Sequence, residues 1–508
     1  MTAMKPTTLR VLTVLLFLAM SSGCAARPAQ NASPTPSQTI VFEDCKLSSP
    51  GMRGTVKARC GNLAVYEDQE QKSERKIDLH IAVVPAVSRS PQPDALFLLA
   101  GGPGQAATEA FLPMYPVFDR LHQNRDIVLV DQRGTGQSNS LRCSAPDLSK
   151  GSDPNGDTQE PPKDFSTEIE KLKECQAQLK ADTRLYTTAA TVEDLEQVRT
   201  ALGYERINLI GVSYGTRVAQ AYQRRYPQHT RTATLDGVNP LDWELGPENP
   251  ANAQRTLNLI FERCTADPAC QAAFPDVRKE FSQLLEKLEK QPAQVTFPHP
   301  TTGEVTEMEL TSDMLASTIQ ILSYTPETVA YIPLLIHETA ERGDYSLLAA
   351  QYIIVMGELG RSISNGLYYS VVCAEDVAFY PAASVAPESA SYLPDHTAEI
   401  KKYCAQWPHT LAPAEFKQPL KSDVPTLLLS GEADPITPPA NAEKVVRNLG
   451  NALNLVVPGI GHNVIYRGCV PKIVTSFIEA GTTSGLDVEC VQKIRPAPFM
   501  LNFAGSKP

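Results

Sequence analysis

The pentad Gly211-Val212-Ser213-Tyr214-Gly215 lies between an apolar run, Ile207–Ile210, and the stretch Thr216–Tyr226, which reads as helical. A serine flanked by glycines at two-residue spacing suits a sharp strand-to-helix turn, where bulky neighbours would clash and Oγ stands exposed above a sheet. An alcohol needs a base, and the base an orienting acid; in this topology they follow in the order Ser, Asp, His. Asp434 closes Gly431-Glu432-Ala433-Asp434 behind the apolar run Thr426–Ser430, and His462 closes Pro458-Gly459-Ile460-Gly461-His462 behind Leu455–Val457. Alone, either residue would read as a solvated turn; together they occupy the carboxyl ends of successive strands, where open α/β sheets place reactive groups. Glu432 competes for the acid's role, and the loop position favours Asp434. A developing oxyanion needs N–H donors. Tyr214 supplies one, and Gly102 of Gly101-Gly102-Pro103-Gly104, expected in the loop after the third strand, supplies another, since Pro103 has no N–H. The chemistry expected is acyl transfer by Ser213, Asp434 and His462 through an acyl-enzyme, with neither a metal nor an organic cofactor.

Periodicity indicates the elements that must hold these groups. Ala95–Ala100 is a continuous apolar run suited to a central strand, and Lys76–Ala86 partly alternates. Ile127–Val130, Ile207–Gly211 and Thr232–Leu235 are further short strands. Helical stretches separate them at Asp164–Lys180 and at Val192–Leu202, the latter behind a Thr191 cap with Asp194 three residues on. This alternation predicts βαβ units and a mostly parallel sheet over residues 41–244. Residues 245–410 read as mainly helical, with a Pro/Thr-rich stretch near 292–304, and strand–helix alternation returns over 411–508. An α/β domain interrupted by a helical insertion accounts for the pattern.

The chain of 508 residues is 42% apolar and 20% charged, enough for about two or three structural units. Its net charge of −11 offers no footprint for a nucleic-acid backbone. Lys5 and Arg10 precede the apolar run Val11–Met20 and the small residues Ser21, Ser22 and Gly23, ending at Cys24. That layout is a secretory signal over residues 1–24, too short for a membrane span. Its Gly-Cys ending resembles a bacterial lipoprotein signal, in which Cys24 becomes the acylated first residue; in a Gram-negative host, Ala25 would then favour the outer membrane. Simple secretion is the alternative. Residues 25–40, rich in Pro, Ser, Ala and Gln, form a flexible tether. Ten cysteines remain: Cys45, Cys60, Cys143, Cys175, Cys264, Cys270, Cys373, Cys404, Cys469 and Cys490. An even number in an exported chain points to disulfides. Sequential pairing is the simplest arrangement, although spacing leaves the connectivity open, and no paired C-x-x-C or H-E-x-x-H favours a metal.

Gly101–Gly104, the run Asp131–Ser138 (DQRGTGQS), the GVSYG turn, Asp434 and His462 together resemble the proline iminopeptidase and tripeptidyl aminopeptidase branch of the α/β-hydrolases. Tyr369–Asp376 (YSVVCAED) and the cysteine-bearing C-terminal segment resemble its secreted, tripeptidyl-aminopeptidase-like members. The resemblance implies an α/β-hydrolase fold with a helical cap over residues 245–410. It also implies an exported serine aminopeptidase that releases single residues or short peptides from peptide substrates. Acidic cap residues would recognise the free amine, with Glu375 and Asp376 as candidates against the alternative of a surface pair beside a disulfide. Arg133 would anchor the oxyanion loop. Ala100 stands where proline iminopeptidases usually carry His, which argues against a strict prolyl preference. A secreted carboxylesterase or lipase with the same triad, and a catalytically silent peptide-binding envelope lipoprotein, are the competing readings.

Overall fold

Apolar strands buried on both faces form the centre of the molecule, and helices cover each face. The computed structural model of the chain describes residues 40–49, 54–72, 74–143, 165–381 and 391–505, without the side chains of 165–168. The expected signal segment with Cys24, and all but the last residue of the expected tether, lie outside the described residues.

The amino-terminal strands β1 (Glu43–Leu47), β2 (Val56–Tyr66) and β3 (Lys76–Val84) pair antiparallel. They are followed by β4 (Leu96–Leu99), α1 (Ala107–His122), β5 (Ile127–Val130), α2 (Phe165–Gln178), α3 (Thr188–Leu202), β6 (Ile207–Val212), α4 (Tyr214–Arg225) and β7 (Thr230–Asp236). The insertion then runs through α5 (Asn249–Ala266), α6 (Pro268–Ala273), α7 (Val277–Lys290), the hairpin β8 (Ala293–Pro298) and β9 (Val305–Leu310), and α8 (Ser312–Leu322). It continues with α9 (Pro326–Val329), α10 (Ile332–Arg342), α11 (Ser346–Ser362), α12 (Asn365–Glu375) and α13 (Thr397–Cys404). The sheet resumes with β10 (Thr426–Gly431), α14 (Pro439–Val446), β11 (Ala452–Val457) and α15 (Val470–Ala480).

The nine-stranded sheet has the order β1-β2-β3-β5-β4-β6-β7-β10-β11. From β5 to β11 every neighbouring pair is parallel, while β3 meets β5 antiparallel. The pleat sends alternate residues to opposite faces. Phe97 and Leu99 pack on one side with α3 and α4; Leu96 and Leu98 pack on the other with α1 and α15. This two-sided burial is why β4 reads as continuous apolar sequence.

Three local expectations are corrected. The Pro/Thr-rich stretch folds into the β8–β9 hairpin, its turn closed by the His299 N–H donating to Glu304 O at 2.7 Å. The helix α3 starts one turn earlier than expected: Thr187 Oγ1 accepts from Ala190 N at 3.3 Å, so Thr191 lies inside the helix. Finally, Gly101–Gly104 follows the fourth strand, not the third, because β1 and β2 both precede the alternating run at Lys76.

Candidate active site

The carboxyl ends of β6, β7, β10 and the loop after β11 converge. Ser213 takes the turn between β6 and α4 with φ 55° and ψ −123°, a conformation that non-glycine residues avoid. Sequence makes the turn feasible: a Cβ on Gly211 would lie 2.5 Å from Gly215 O, and one on Gly215 would run into Leu99 O. The Ser213 N–H donates to Asp236 O at 2.8 Å, and Thr216 Oγ1 donates to Ser213 O at 2.7 Å. The elbow is therefore held at both ends.

The acid and the base are joined. His462 Nδ1 donates to Asp434 Oδ2 at 2.7 Å. Asp434 is fully buried; its Oδ1 accepts from Ile436 N at 2.9 Å and Thr437 N at 2.8 Å, and Oδ2 also accepts from Thr437 Oγ1 at 2.8 Å. Four donors fix that carboxylate in place. Glu432, in contrast, is exposed and accepts from Gly459 N at 2.7 Å, which makes it part of the loop's scaffold. His462 is buried, which opposes its charged form, but the Asp434 carboxylate and Asp236 behind it raise its pKa above 6.5. With Nδ1 engaged, Nε2 is the nitrogen left for the serine. Ser213 Oγ and His462 are not hydrogen-bonded to each other here. Both border the Asp236–Gly237 turn: the Ser213 N–H binds Asp236 O, and a Cβ on Gly237 would lie 2.9 Å from His462 Cε1. Contacts of this kind are commonly looser without substrate.

Two groups at this site escaped the sequence reading. Asp236, at the end of β7, accepts from Val464 N and Ile465 N at 3.0 Å each and so fixes the loop that carries His462. Burial pushes its carboxyl up to about 6, against those two N–H groups and the charge of His462. Thr437 ties Asp434 to its own loop and lies 3.1 Å from His462 Nδ1. Asp236-Gly237 at a strand end beside the elbow strand was the available signal for the first; the second has none without the fold.

Gly101 approaches the elbow closely, since a Cβ there would lie 3.2 Å from Ser213 Cβ. The N–H groups of Gly102 and Tyr214 donate to no other group among the described residues. The glycine loop is pinned from outside: Gly104 O accepts from Ser364 N at 2.8 Å, and Ser364 Oγ donates to Gly134 O at 2.6 Å. Arg133 is buried and grips Asp194 of α3 with Nε at 2.7 Å and Nη2 at 2.8 Å, while Nη1 donates to Glu67 O and Leu185 O. It anchors its own turn to α3 and reaches the glycine loop through its neighbours: Gln132 Nε2 donates to Ala100 O at 3.5 Å, and Gly134 O is held by Ser364.

Glu375 and Asp376 are each 1% exposed, so they are not a surface pair. Asp376 is held by Arg217 of α4 at 2.8 and 3.0 Å and by Lys417 at 3.5 Å. Glu375 accepts from the Thr188 N–H that opens α3 and from Thr188 Oγ1, both at 2.7 Å, with Arg217 at 3.7 Å. Thr188 Oγ1 also meets Tyr214 Oη at 2.7 Å, which places Glu375 two side chains from the residue after Ser213. Burial drives the Glu375 carboxyl up to about 7, against Arg217 and Thr188. All ten cysteines pair sequentially: Cys45–Cys60, Cys143–Cys175, Cys264–Cys270, Cys373–Cys404 and Cys469–Cys490. Among the described residues there is no cluster of three or more His, Cys, Asp or Glu side chains arranged to hold a metal ion.

A strained serine elbow, a buried Asp–His pair and a parallel sheet interrupted by a helical insertion define a serine hydrolase of the α/β-hydrolase fold. Residues 94–297 match the family described as alpha/beta hydrolase fold, and residues 391–490 match the TAP-like protein family; the chain is an α/β-hydrolase with a TAP-like C-terminal segment. It is 25% identical over 506 residues to the serine protease Hip1 of Mycobacterium tuberculosis, covering 91% of this chain and 93% of that one. It is 24% identical over 502 residues to the tripeptidyl aminopeptidase of Streptomyces lividans, covering 90% and 88%. Over 119 residues it is 32% identical to the proline iminopeptidase of Heyndrickxia coagulans, covering 22% and 40%.

Proposed function

We propose that this chain is an exported serine aminopeptidase that removes N-terminal residues or short peptides from peptide substrates. Ser213 attacks the carbonyl of the scissile bond while His462 takes its proton and later delivers it to the leaving amine. Asp434 holds the imidazole tautomer and stabilises its charged form. The Gly102 and Tyr214 N–H groups receive the oxyanion, the role for which their lack of a partner among the described residues fits them. Water then releases the acyl group.

The observation that carries the aminopeptidase reading is the buried cluster beside the first turn of α4. Three carboxylates (Glu375, Asp376 and Glu244) face two cations, Arg217 and Lys417, with Glu244 3.4 Å from Lys417. Asp376 is already neutralised by its two partners. Glu375 is the group whose ionisation an arriving ammonium would favour, because an opposite charge nearby stabilises the carboxylate. The similarity over nine-tenths of the chain to a protease and to a tripeptidyl aminopeptidase supports peptides as the substrate class. Five disulfides fit an oxidising compartment. Acylation of Cys24 would hold the protein at a membrane surface, for among the described residues no helix is long and apolar enough to cross one.

Purified enzyme should be profiled against aminoacyl-, dipeptidyl- and tripeptidyl-coumarins with the amine free and blocked. Cleavage that requires the free amine supports this reading. Equal cleavage of blocked substrates and simple esters would assign the chain to the carboxylesterases, and failure of Ser213 to label with a fluorophosphonate would leave a silent binding protein.

A further inference from the structure

The cap segment Ser323–Ala330 meets the chain around His462 through Tyr324 and Glu327, and the C-terminal tail through Ala330. The Tyr324 carbonyl accepts the His462 N–H at 2.7 Å, and the Tyr324 ring meets the imidazole edge to face, with centroids 5.2 Å apart at 71°. Gly461 leaves no slack in this contact: a Cβ there would lie 2.5 Å from Tyr324 O and 2.7 Å from Ser323 O. Five residues beyond His462, Arg467 binds the Glu327 carboxylate with both terminal nitrogens, Nη2 at 2.8 Å. At the far end of the segment, Ala330 O accepts from Met500 N at 2.9 Å, and the neighbouring Phe499 is 3% exposed within the apolar core of the cap. The C-terminal tail thus fastens the cap segment six residues beyond Tyr324.

We propose that Tyr324 is a positioning residue for His462, and that Phe499 and Met500 hold it in place. The cap then completes the catalytic site rather than closing over a finished one. Asp434 and Thr437 fix one ring nitrogen, but contacts at one nitrogen leave the ring free to tilt about it. The Tyr324 edge removes the tilt, and its carbonyl fixes the backbone from which the ring hangs. A displacement on the order of 1 Å at a reacting group can lower a rate about 100-fold. The Tyr324 ring also shields the imidazole from water, and burial is the influence that most opposes its charged form.

The inference rests on Ser213 and His462 being the nucleophile and base, so the test reads that chemistry without assuming a substrate. The rate of Ser213 labelling by a fluorophosphonate is measured across pH for the full chain and for Y324F, Y324L and F499A, with S213A as control. Y324F should label within about twofold of wild type. Y324L should label on the order of 10- to 100-fold more slowly, with its acid limb displaced to higher pH. F499A, remote from the serine, should slow labelling in the same direction, and it decides the matter if Y324L does not fold. Labelling of Y324L and F499A at the wild-type rate, with an unmoved acid limb and a silent S213A, would overturn the positioning role alone. A wild-type chain that does not label, or an S213A that does, would overturn the nucleophile assignment beneath it.

Discussion

Asp434 and Glu432 are two residues apart, and the fold gives them different work. Asp434 faces the imidazole with both oxygens tied down, while Glu432 turns outward onto Gly459. Asp434→Asn should lower turnover about 10⁴-fold by favouring the wrong tautomer, whereas Glu432→Gln should change stability by no more than about 0.5 kcal/mol and leave turnover near wild type; comparing kcat of the two variants checks the choice. His462 must be neutral to act as base, and its pKa lies above 6.5. Activity therefore falls as pH drops through that raised value, and the midpoint of the acid limb of kcat/KM should exceed 6.5. Asp236 contributes part of that elevation, so Asp236→Asn should move the limb to lower pH while loosening the Val464–Ile465 turn. An unmoved limb would show that Asp236 does not sense the imidazole charge. The sequence exposed the proposed triad because Ser213, Asp434 and His462 each sit in a short glycine-containing motif at a strand end. It hid Asp236 because Asp-Gly at a strand end reads as an ordinary turn, and the N–H groups it binds lie 228 and 229 residues further along the chain.

At the scale of elements, the turn after β5 shows how buried charge fixes a loop. Arg133 and Asp194 form a bidentate pair with almost no solvent contact, joining the DQRG turn to α3. Removing one partner strands the other, so Arg133→Met should destabilise the fold by about 3–5 kcal/mol, read as a lower urea midpoint with an unchanged slope. This pair also explains the misplaced start of α3. Asp194 resembled the acidic member of a capping box behind Thr191, but its side chain points to Arg133 and Thr187 supplies the cap. Local pattern could not separate the two because the competing partner is 61 residues away. The strands β4 to β7 were legible for the opposite reason, since their two-sided burial writes itself into continuous apolar sequence. The short hairpin β8–β9 was obscured by the prolines and threonines of its turn.

For the whole molecule, three buried acidic or basic groups share one sign. Glu375 is raised to about 7, Asp236 to about 6, and His462 above its ordinary value. Each binds its proton more tightly folded than unfolded, so each contributes stability that is present at low pH and lost as pH rises through its folded pKa. Stability should therefore decline between about pH 5 and pH 7.5, and Glu375→Gln should flatten the decline; thermal melts across that range would show it, and an identical slope in the variant would count against it. The disulfides act on the unfolded chain instead. Loop-closure entropy for a 15-residue loop amounts to about 3 kcal/mol, the scale of Cys45–Cys60, whose separation is 15 residues. Thiol reduction should lower the melting temperature while His462 and Asp434 stay paired, and an unchanged melt would argue that the bonds do not form.

Taken by itself, the sequence determined the α/β order of elements, the serine elbow, the residues proposed as base and acid, and the count of ten pairable cysteines. These depend on local apolar periodicity and on turn residues whose backbone demands are met within a few positions. Only the tertiary structure decided that Glu375 and Asp376 are interior, that Asp236 braces the loop of His462, and that a cap tyrosine rests on the imidazole. Those are contacts between residues far apart in the chain, where burial and the choice of partner are set by packing and leave no trace in spacing.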